Sequence, residues 1–321
     1  MLGAKNKAVR IPIFLFNGLL EAGKTSFISY MLDKPVFADG QNTLVIACEE
    51  GIEEFDKVAL EKNHITLVQI EEESDLTDQL MADLAKQYKP ARVLIEYNGM
   101  WDMAVPFDLN YPVGWFIYEV ITLVNAETFN VYLNNMRGIM MEHFKCADLV
   151  VFNRVDSGTN PSSFWGTIKA VNGQAKLFVC DEGFALEPVK EELPYDLSAD
   201  IVEIEDKDYG IWYIDLWESP DRYKNKKFKV NGLFFHDENE PKDRFTFGRF
   251  AMPCCAEDIA LMGLYCHNIG KPRFTNRDSI TVTAEIRYEQ AEVYNNDMGP
   301  ILYVKSIEKA EKNQEDLVVF N

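Results

Sequence analysis

Long apolar runs are missing from this chain. No stretch reaches the ~18 to 20 uncharged apolar residues that a membrane helix needs, so direct membrane insertion is not expected. The N-terminus lacks an apolar segment followed by a cleavage site, and no signal peptide is expected. Cysteine is sparse. Six in 321 residues, most within apolar runs, do not make a disulfide framework and point to the reducing cytoplasm. Basic residues are outnumbered, 32 Lys and Arg against 52 Asp and Glu, for a formal net charge of −20. Such a surface repels nucleic acid and anionic lipid, and the one basic stretch, 224–229, is short, so nucleic acid is excluded as a partner. Repeats and low-complexity segments are missing too. What remains is 47% hydrophobic residues over a length sufficient for two domains.

The most informative segment is Gly18-Leu19-Leu20-Glu21-Ala22-Gly23-Lys24-Thr25, which fits G-x-x-x-x-G-K-[ST] at every fixed position. An apolar run at 9–16 predicts a buried strand before it, and the spacing at 26–32 predicts a helix after it. Glycines let successive N–H groups turn toward one phosphate, and the helix N-terminus adds partial positive charge. Gly18, Glu21, Ala22, Gly23, Lys24, Thr25 and Ser26 are the expected nucleotide-binding residues. Lys24 neutralises the β- and γ-phosphates, and the Thr25 hydroxyl holds Mg²⁺. The competing explanation is a chance glycine turn.

Strand-like segments at 43–48, 65–69, 91–96, 118–124, 148–152 and 176–180 alternate with helical patterns such as 75–86 and 126–144. Alternation of this kind predicts an α/β fold, a P-loop NTPase with a mostly parallel sheet. Near residue 185 the pattern changes. An acidic linker is expected over 187–206, then short β-like segments at 228–235, 244–250, 279–288 and 300–307. These predict a small all-β, OB-like barrel. The expected organisation is a GTPase domain at 1–186, the linker, the barrel at 207–310 and a charged tail at 311–321.

Three further pieces fit a GTPase. The strand at 93–96 delivers Glu96, placed to reach Mg²⁺ or its water, and Gly99 is placed to sense the γ-phosphate; an ordinary strand ending in a turn is the alternative. Asn153-Arg154-Val155-Asp156 follows the strand at 149–152, where GTPases read guanine with N-K-x-D. A carboxylate at Asp156 accepts the N1–H and N2 amino donors that adenine lacks there. Arg154 replaces the usual Lys, its alkyl stem able to cover the base. The loop 48–56 lies where a switch belongs, and Glu49 is its candidate for the Mg²⁺ shell; most of its other glutamates read as solvated. Lys24, Thr25 and Glu96 form the expected catalytic set.

In this order the motifs resemble the CobW-type GTPases, relatives of the HypB and UreG metallochaperones. The resemblance covers roughly residues 9–185 and includes Glu49…Gly51…Asp56, Val124-Asn125-Ala126 and Ala147-Asp148. It implies GTP hydrolysis coupled to moving or inserting a transition metal. The family's C-x-C-C belongs just after Ile70, where this chain has Glu71-Glu72-Glu73-Ser74-Asp75, hard carboxylates unsuited to soft-metal relay. Cys48 is a further departure. Residues 207–310, with Arg249-Phe250-Ala251-Met252-Pro253-Cys254-Cys255-Ala256-Glu257-Asp258, resemble the C-terminal domain of YcgQ-type proteins, which implies a permease-type partner.

Cys254 and Cys255 are adjacent and, completed by Cys266 or His267, form a zinc candidate; the alternative is small buried residues at a barrel corner. His143 and Cys146 stand at i, i+3 on a helix, where a core or dimer contact competes with metal binding. The expected cofactors are GTP and Mg²⁺, with zinc as an addition. The expected client is a metalloprotein or a membrane permease, and a homodimer is an open assembly. The alternative function is a non-catalytic, nucleotide-regulated interaction protein docking a permease through its barrel. An ATP-using kinase is a third reading, opposed by Asp156.

Overall fold

In the computed structural model the described residues are 10–49, 51, 53, 55–155, 162–181, 183–189, 193–241, 243–252, 259–267, 274–310 and 317–318. Asp156, Cys254 and Cys255 lie outside them. The apolar run before the glycine loop folds as β1 (Ile11–Asn17), with Ile13, Leu15 and Phe16 fully buried. Branched and aromatic side chains suit a strand covered on both faces, and each one buried contributes roughly 1.5–3 kcal/mol.

The same sheet contains β2 (Thr43–Ala47), β3 (Ile65–Gln69), β4 (Arg92–Glu96), β5 (Trp115–Asn125), β6 (Leu149–Asn153), β7 (Lys176–Val179) and β8 (Glu187–Pro188). The order is β3-β2-β4-β1-β5-β6-β7-β8, parallel throughout except for β8 against β7. Helices α1 (Lys24–Leu32), α2 (Lys57–Lys62), α3 (Asp78–Tyr88), α4 (Val105–Asp108), α5 (Phe129–Asn135) and α6 (Arg137–Cys146) connect the strands. Their starts are set locally: Asp56 accepts from the N–H groups of Val58 and Ala59, and Thr77 accepts from that of Leu80. Alternate residues of one strand serve opposite faces. Leu44 and Ile46 pack with Leu15, Ile95 and Met81, whereas Val45 packs with Phe16, Phe27 and Leu123. The α/β reading with a mostly parallel sheet is thus what the chain forms.

The chain divides into two compact units, 1–161 with 174–189, and 162–173 with 190–321. The second contains α7 (Ser162–Lys169), β9 (Val202–Ile204), α8 (Tyr209–Glu218), α9 (Pro220–Tyr223), β10 (Lys227–Phe235), β11 (Arg244–Ala251), β12 (Ala260–His267), β13 (Ser279–Gln290), β14 (Met298–Lys309) and β15 (Leu317–Val318). β10 pairs antiparallel with both β11 and β13, β11 with β12, and β13 with β14, while β12 and β14 run parallel. The pairings of β10 to β14 therefore run in a cycle, with β9 added on β10 and β15 on β11. The acidic stretch 187–206 contributes a strand to each sheet, β8 to one and β9 to the other. Helix α8 had no helical signal. Its sequence, YGIWYIDLWE, is rich in aromatic and β-branched residues, yet Tyr209, Trp212 and Leu216 are fully buried, so packing overrides propensity.

Candidate nucleotide site

Parallel pairing brings strand ends together. Phe16 is in register with Glu96, Asn17 with Thr122, and Asn125 with Asn153, so β4, β1, β5 and β6 finish on one edge. In an open parallel sheet that edge is where ligands bind. The loop from Gly18 to Gly23 leaves β1 there and turns through left-handed conformations at Glu21 (φ 62°) and Gly23 (φ 89°). Gly23 is the N-cap of α1 and carries no capping side chain, which leaves the first-turn N–H groups available to an anion. A side chain at Gly23 would collide with the Asn153 amide, and one at Gly99 with the Gly18 carbonyl.

Lys24 is 3% exposed. Its ammonium donates to the carbonyls of Gly18 (2.6 Å) and Leu19 (3.2 Å) and pairs with Glu49 Oε2 at 2.6 Å. Next to it, Thr25 Oγ1 donates to Glu96 Oε1 at 2.6 Å. Glu96 is buried, and burial raises its carboxyl pKa against the opposing effects of the Thr25 hydrogen bond and the Lys24 charge; Glu49 adds to the rise. A cavity of about 230 Å³ opens over these groups, lined by Gly23, Lys24, Thr25, Ser26, Glu49 and Glu96, with Arg154 at its side.

The segment that follows β6 is tied to this loop. The buried Asn153 donates from Nδ2 to the Ala22 carbonyl (3.4 Å) and accepts the Arg154 N–H at Oδ1 (2.7 Å). Arg154 adopts φ 57°, an uncommon conformation for a residue with a side chain, and its Nη1 donates to the Glu21 carbonyl at 3.1 Å. Two consecutive side chains thus clasp the outer turn of the phosphate loop.

Other predicted residues fall elsewhere. Cys48 is buried, its thiol pushed up to about 12 by burial, with Glu96 and Glu49 adding to the rise. Cys266 is fully buried on β12, and burial raises its thiol far above the usual range, which places it in an apolar interior rather than at a ligand-accessible surface. Among the described residues no group of three or more His, Cys, Asp and Glu side chains is placed to hold a metal ion. Asn125 Oδ1 accepts from the Glu127 N–H, and Asp148 Oδ2 from the Val120 N–H, so both serve turns and strand ends.

Sequence reasoning missed Asn17 and the environment of His143. Asn17 is fully buried at the last position of β1, its Nδ2 3.6 Å from both Met103 Sδ and Cys146 Sγ. Its only signal is its place immediately before Gly18. His143 is 2% exposed and lines a small cavity of about 20 Å³ beside Gly18 and Leu19. Burial, reinforced by the Lys24 charge, lowers its pKa to about 4.

The family model described as the CobW/HypB/UreG nucleotide-binding domain matches residues 12–178, which hold every group of this site. The chain belongs to the CobW/HypB/UreG family. A second family model, the DUF1980 C-terminal domain, matches residues 184–320. Among solved structures, the Zn(II)-bound YjiA GTPase from E. coli is 18% identical, over 85% of this chain and 93% of that one, with a TM-score of 0.43. The hydrogenase maturation factor HypB from Archaeoglobus fulgidus is 16% identical, over 54% and 81%, with a TM-score of 0.40. HypB from Helicobacter pylori, in complex with nickel, is 14% identical, over 53% and 79%, with a TM-score of 0.32. No curated protein is a significant match to the chain.

Within this CobW/HypB/UreG domain the acidic run at 71–75 has a structural task. Glu73 Oε1 accepts the Asp102 N–H at 2.7 Å and lies 3.5 Å from the Tyr97 hydroxyl. That bond fastens the loop after β3 to the loop after β4, three residues beyond Gly99.

Proposed function

We propose that the protein binds GTP with Mg²⁺ and hydrolyses it, acting as a switch that couples nucleotide state to metal handling or to a permease-type partner. The clasp of Asn153 and Arg154 on the phosphate loop is the observation that carries this reading. It sets the segment leading to Asp156 beside the loop, as one nucleotide spanning both would require. The first-turn N–H groups of α1 and the Lys24 ammonium receive the phosphates. The Asp156 carboxylate accepts from the guanine N1–H and N2 amino group and so discriminates against adenine.

Thr25, Glu49 and Glu96 offer hydroxyl and carboxylate oxygens around one cavity, a hard donor set that fits Mg²⁺. When bound, the ion supplies neutralisation of charge on the phosphoryl oxygens. Catalysis then rests on positioning and electrostatics: Lys24 stabilises the developing charge, and Gly99, packed on Gly18, offers its backbone to the γ-phosphate. In the second unit the strand cycle β10 to β14 supports reading it as an OB-like barrel; its proposed client is a permease-type protein, which the YcgQ-type resemblance implies, or a metalloprotein, which the CobW-type resemblance implies. Turnover of GTP by the purified protein, abolished in Lys24→Ala, tests the proposal; binding without turnover would support a non-catalytic switch instead.

A further inference from the structure

Lysine has three N–H donors, and in this structure Lys24 spends all of them on the protein: the Gly18 carbonyl, the Leu19 carbonyl and the Glu49 carboxylate. The first two acceptors belong to the loop that carries Lys24 and move with it. The third comes from the segment after β2. The Glu49 side chain is 10% exposed and the Lys24 side chain 1%, so the pair sits out of bulk water on the floor of the phosphate cavity. A carboxylate at 2.6 Å from this ammonium presents the charge and oxygen geometry that a phosphate oxygen would present to it. A phosphate and Glu49 cannot both hold the third donor, and two anions sharing one buried cation repel.

We propose that Glu49 is an internal phosphate mimic that competes with the nucleotide for Lys24, and that Mg²⁺ relieves this competition by drawing the carboxylate off Lys24. The inference rests on the nucleotide-site reading above and deepens it. Without the divalent ion, an incoming triphosphate must displace Glu49 and leave its carboxylate unpaired beside the phosphates. With the ion, Glu49 exchanges one cation for another, and Lys24 is released to the nucleotide. In the neighbouring pair, Thr25 Oγ1 donates to Glu96 Oε1 at 2.6 Å. By the Glu49 exchange, nucleotide and Mg²⁺ are positively coupled, and linkage makes the coupling equal in both directions.

The test is equilibrium binding of a non-hydrolysable GTP analogue to the full chain, in EDTA and in saturating Mg²⁺, for the wild type, Glu49→Gln and Glu53→Gln. Glu49→Gln keeps the shape and removes the charge that competes for Lys24. Affinity in EDTA is expected to rise roughly tenfold or more in Glu49→Gln, and the gain conferred by Mg²⁺ to shrink by a similar factor. Glu53→Gln removes a carboxylate from the same cavity without touching the Lys24 pair, and is expected to change both values less than about threefold. If the wild type binds in Mg²⁺ but Glu49→Gln leaves the EDTA affinity unchanged, or if Glu53→Gln matches its effect, the mimic is refuted while the nucleotide site stands. If none of the three binds nucleotide under either condition, the site reading itself fails and the mimic with it.

Discussion

Thr25 and Glu96 come from segments 71 residues apart, yet Oγ1 and Oε1 meet at 2.6 Å. The parallel pairing of β1 with β4 forces this meeting, since Phe16 and Glu96 are in register and Thr25 lies in the first turn of the helix that follows. A hydroxyl and a buried carboxylate at that point suit the hard-cation locus proposed above, next to the lysine. Glu96→Gln retains the hydrogen bond and removes the charge. GTP affinity in Mg²⁺ is expected to fall about tenfold or more, while the EDTA value stays close to wild type. Because burial raises the Glu96 carboxyl pKa, the same variant should melt no lower than the wild type at neutral pH. Titrations with and without Mg²⁺ and a thermal melt check both halves.

Arg154 clasps the loop through the Glu21 carbonyl. Arg154→Ala removes the clasp and the stem that would cover the base, with an expected loss of GTP affinity of about tenfold. Arg154→Lys, with one point charge on a comparable stem, should recover most of it. Competition binding with GTP and GDP reads the difference.

Gly99→Ala places a methyl group against the Gly18 carbonyl. The loop after β4 must then move away from the phosphate loop. Hydrolysis is expected to drop by at least about a hundredfold, with a much smaller effect on nucleotide affinity, because only the γ-phosphate contact is lost. Single-turnover assays separate the two quantities.

His143 sets an acid limit on stability. Burial and the Lys24 charge hold its pKa near 4, against 6.5 in the ordinary case. Between these values the unfolded chain binds a proton that the folded chain does not. Stability is therefore fully present above pH 6.5 and is lost as pH falls toward 4, by up to roughly 3 kcal/mol. Urea melts from pH 7 to 4.5 should show this slope, and His143→Gln should flatten it.

Arg92 ties the end of the loop after α1 to the sheet. Its guanidinium donates to the carbonyls of Val36 (2.8 Å) and Phe37 (2.7 Å), to the Thr43 hydroxyl (2.8 Å) and to Asp39. Arg92→Ala leaves those acceptors without their donor and is expected to destabilise the first unit by about 3 kcal/mol. A denaturant midpoint measured against the wild type decides it.

The first sheet was legible because its strands are short apolar runs set between helical patterns. All seven of the strands read from the sequence are present as β1 to β7. The phosphate loop was legible because its glycines, Lys24 and Thr25 have fixed spacing. Other features have no local signature. The Lys24–Glu49 pair depends on where the segment after β2 returns in space, and sequence offered Glu49 only as a metal ligand. Asn17 reads as an ordinary polar residue until β1 buries it at the strand end, beside Met103 and Cys146. The role of Glu73 was hidden because five consecutive polar residues look alike until one of them accepts the Asp102 N–H. Cys266 looked like a partner for Cys254 and Cys255, but strand alternation turns it inward.

The central claim is that this cavity selects a guanine nucleotide with Mg²⁺. Calorimetric titration of GTP and of ATP, each with Mg²⁺, into the purified full chain tests it most directly. The account predicts saturable GTP binding, at least about a hundredfold tighter than ATP, and its loss in Lys24→Ala. Equal or tighter binding of ATP, or no heat from either nucleotide, would contradict it.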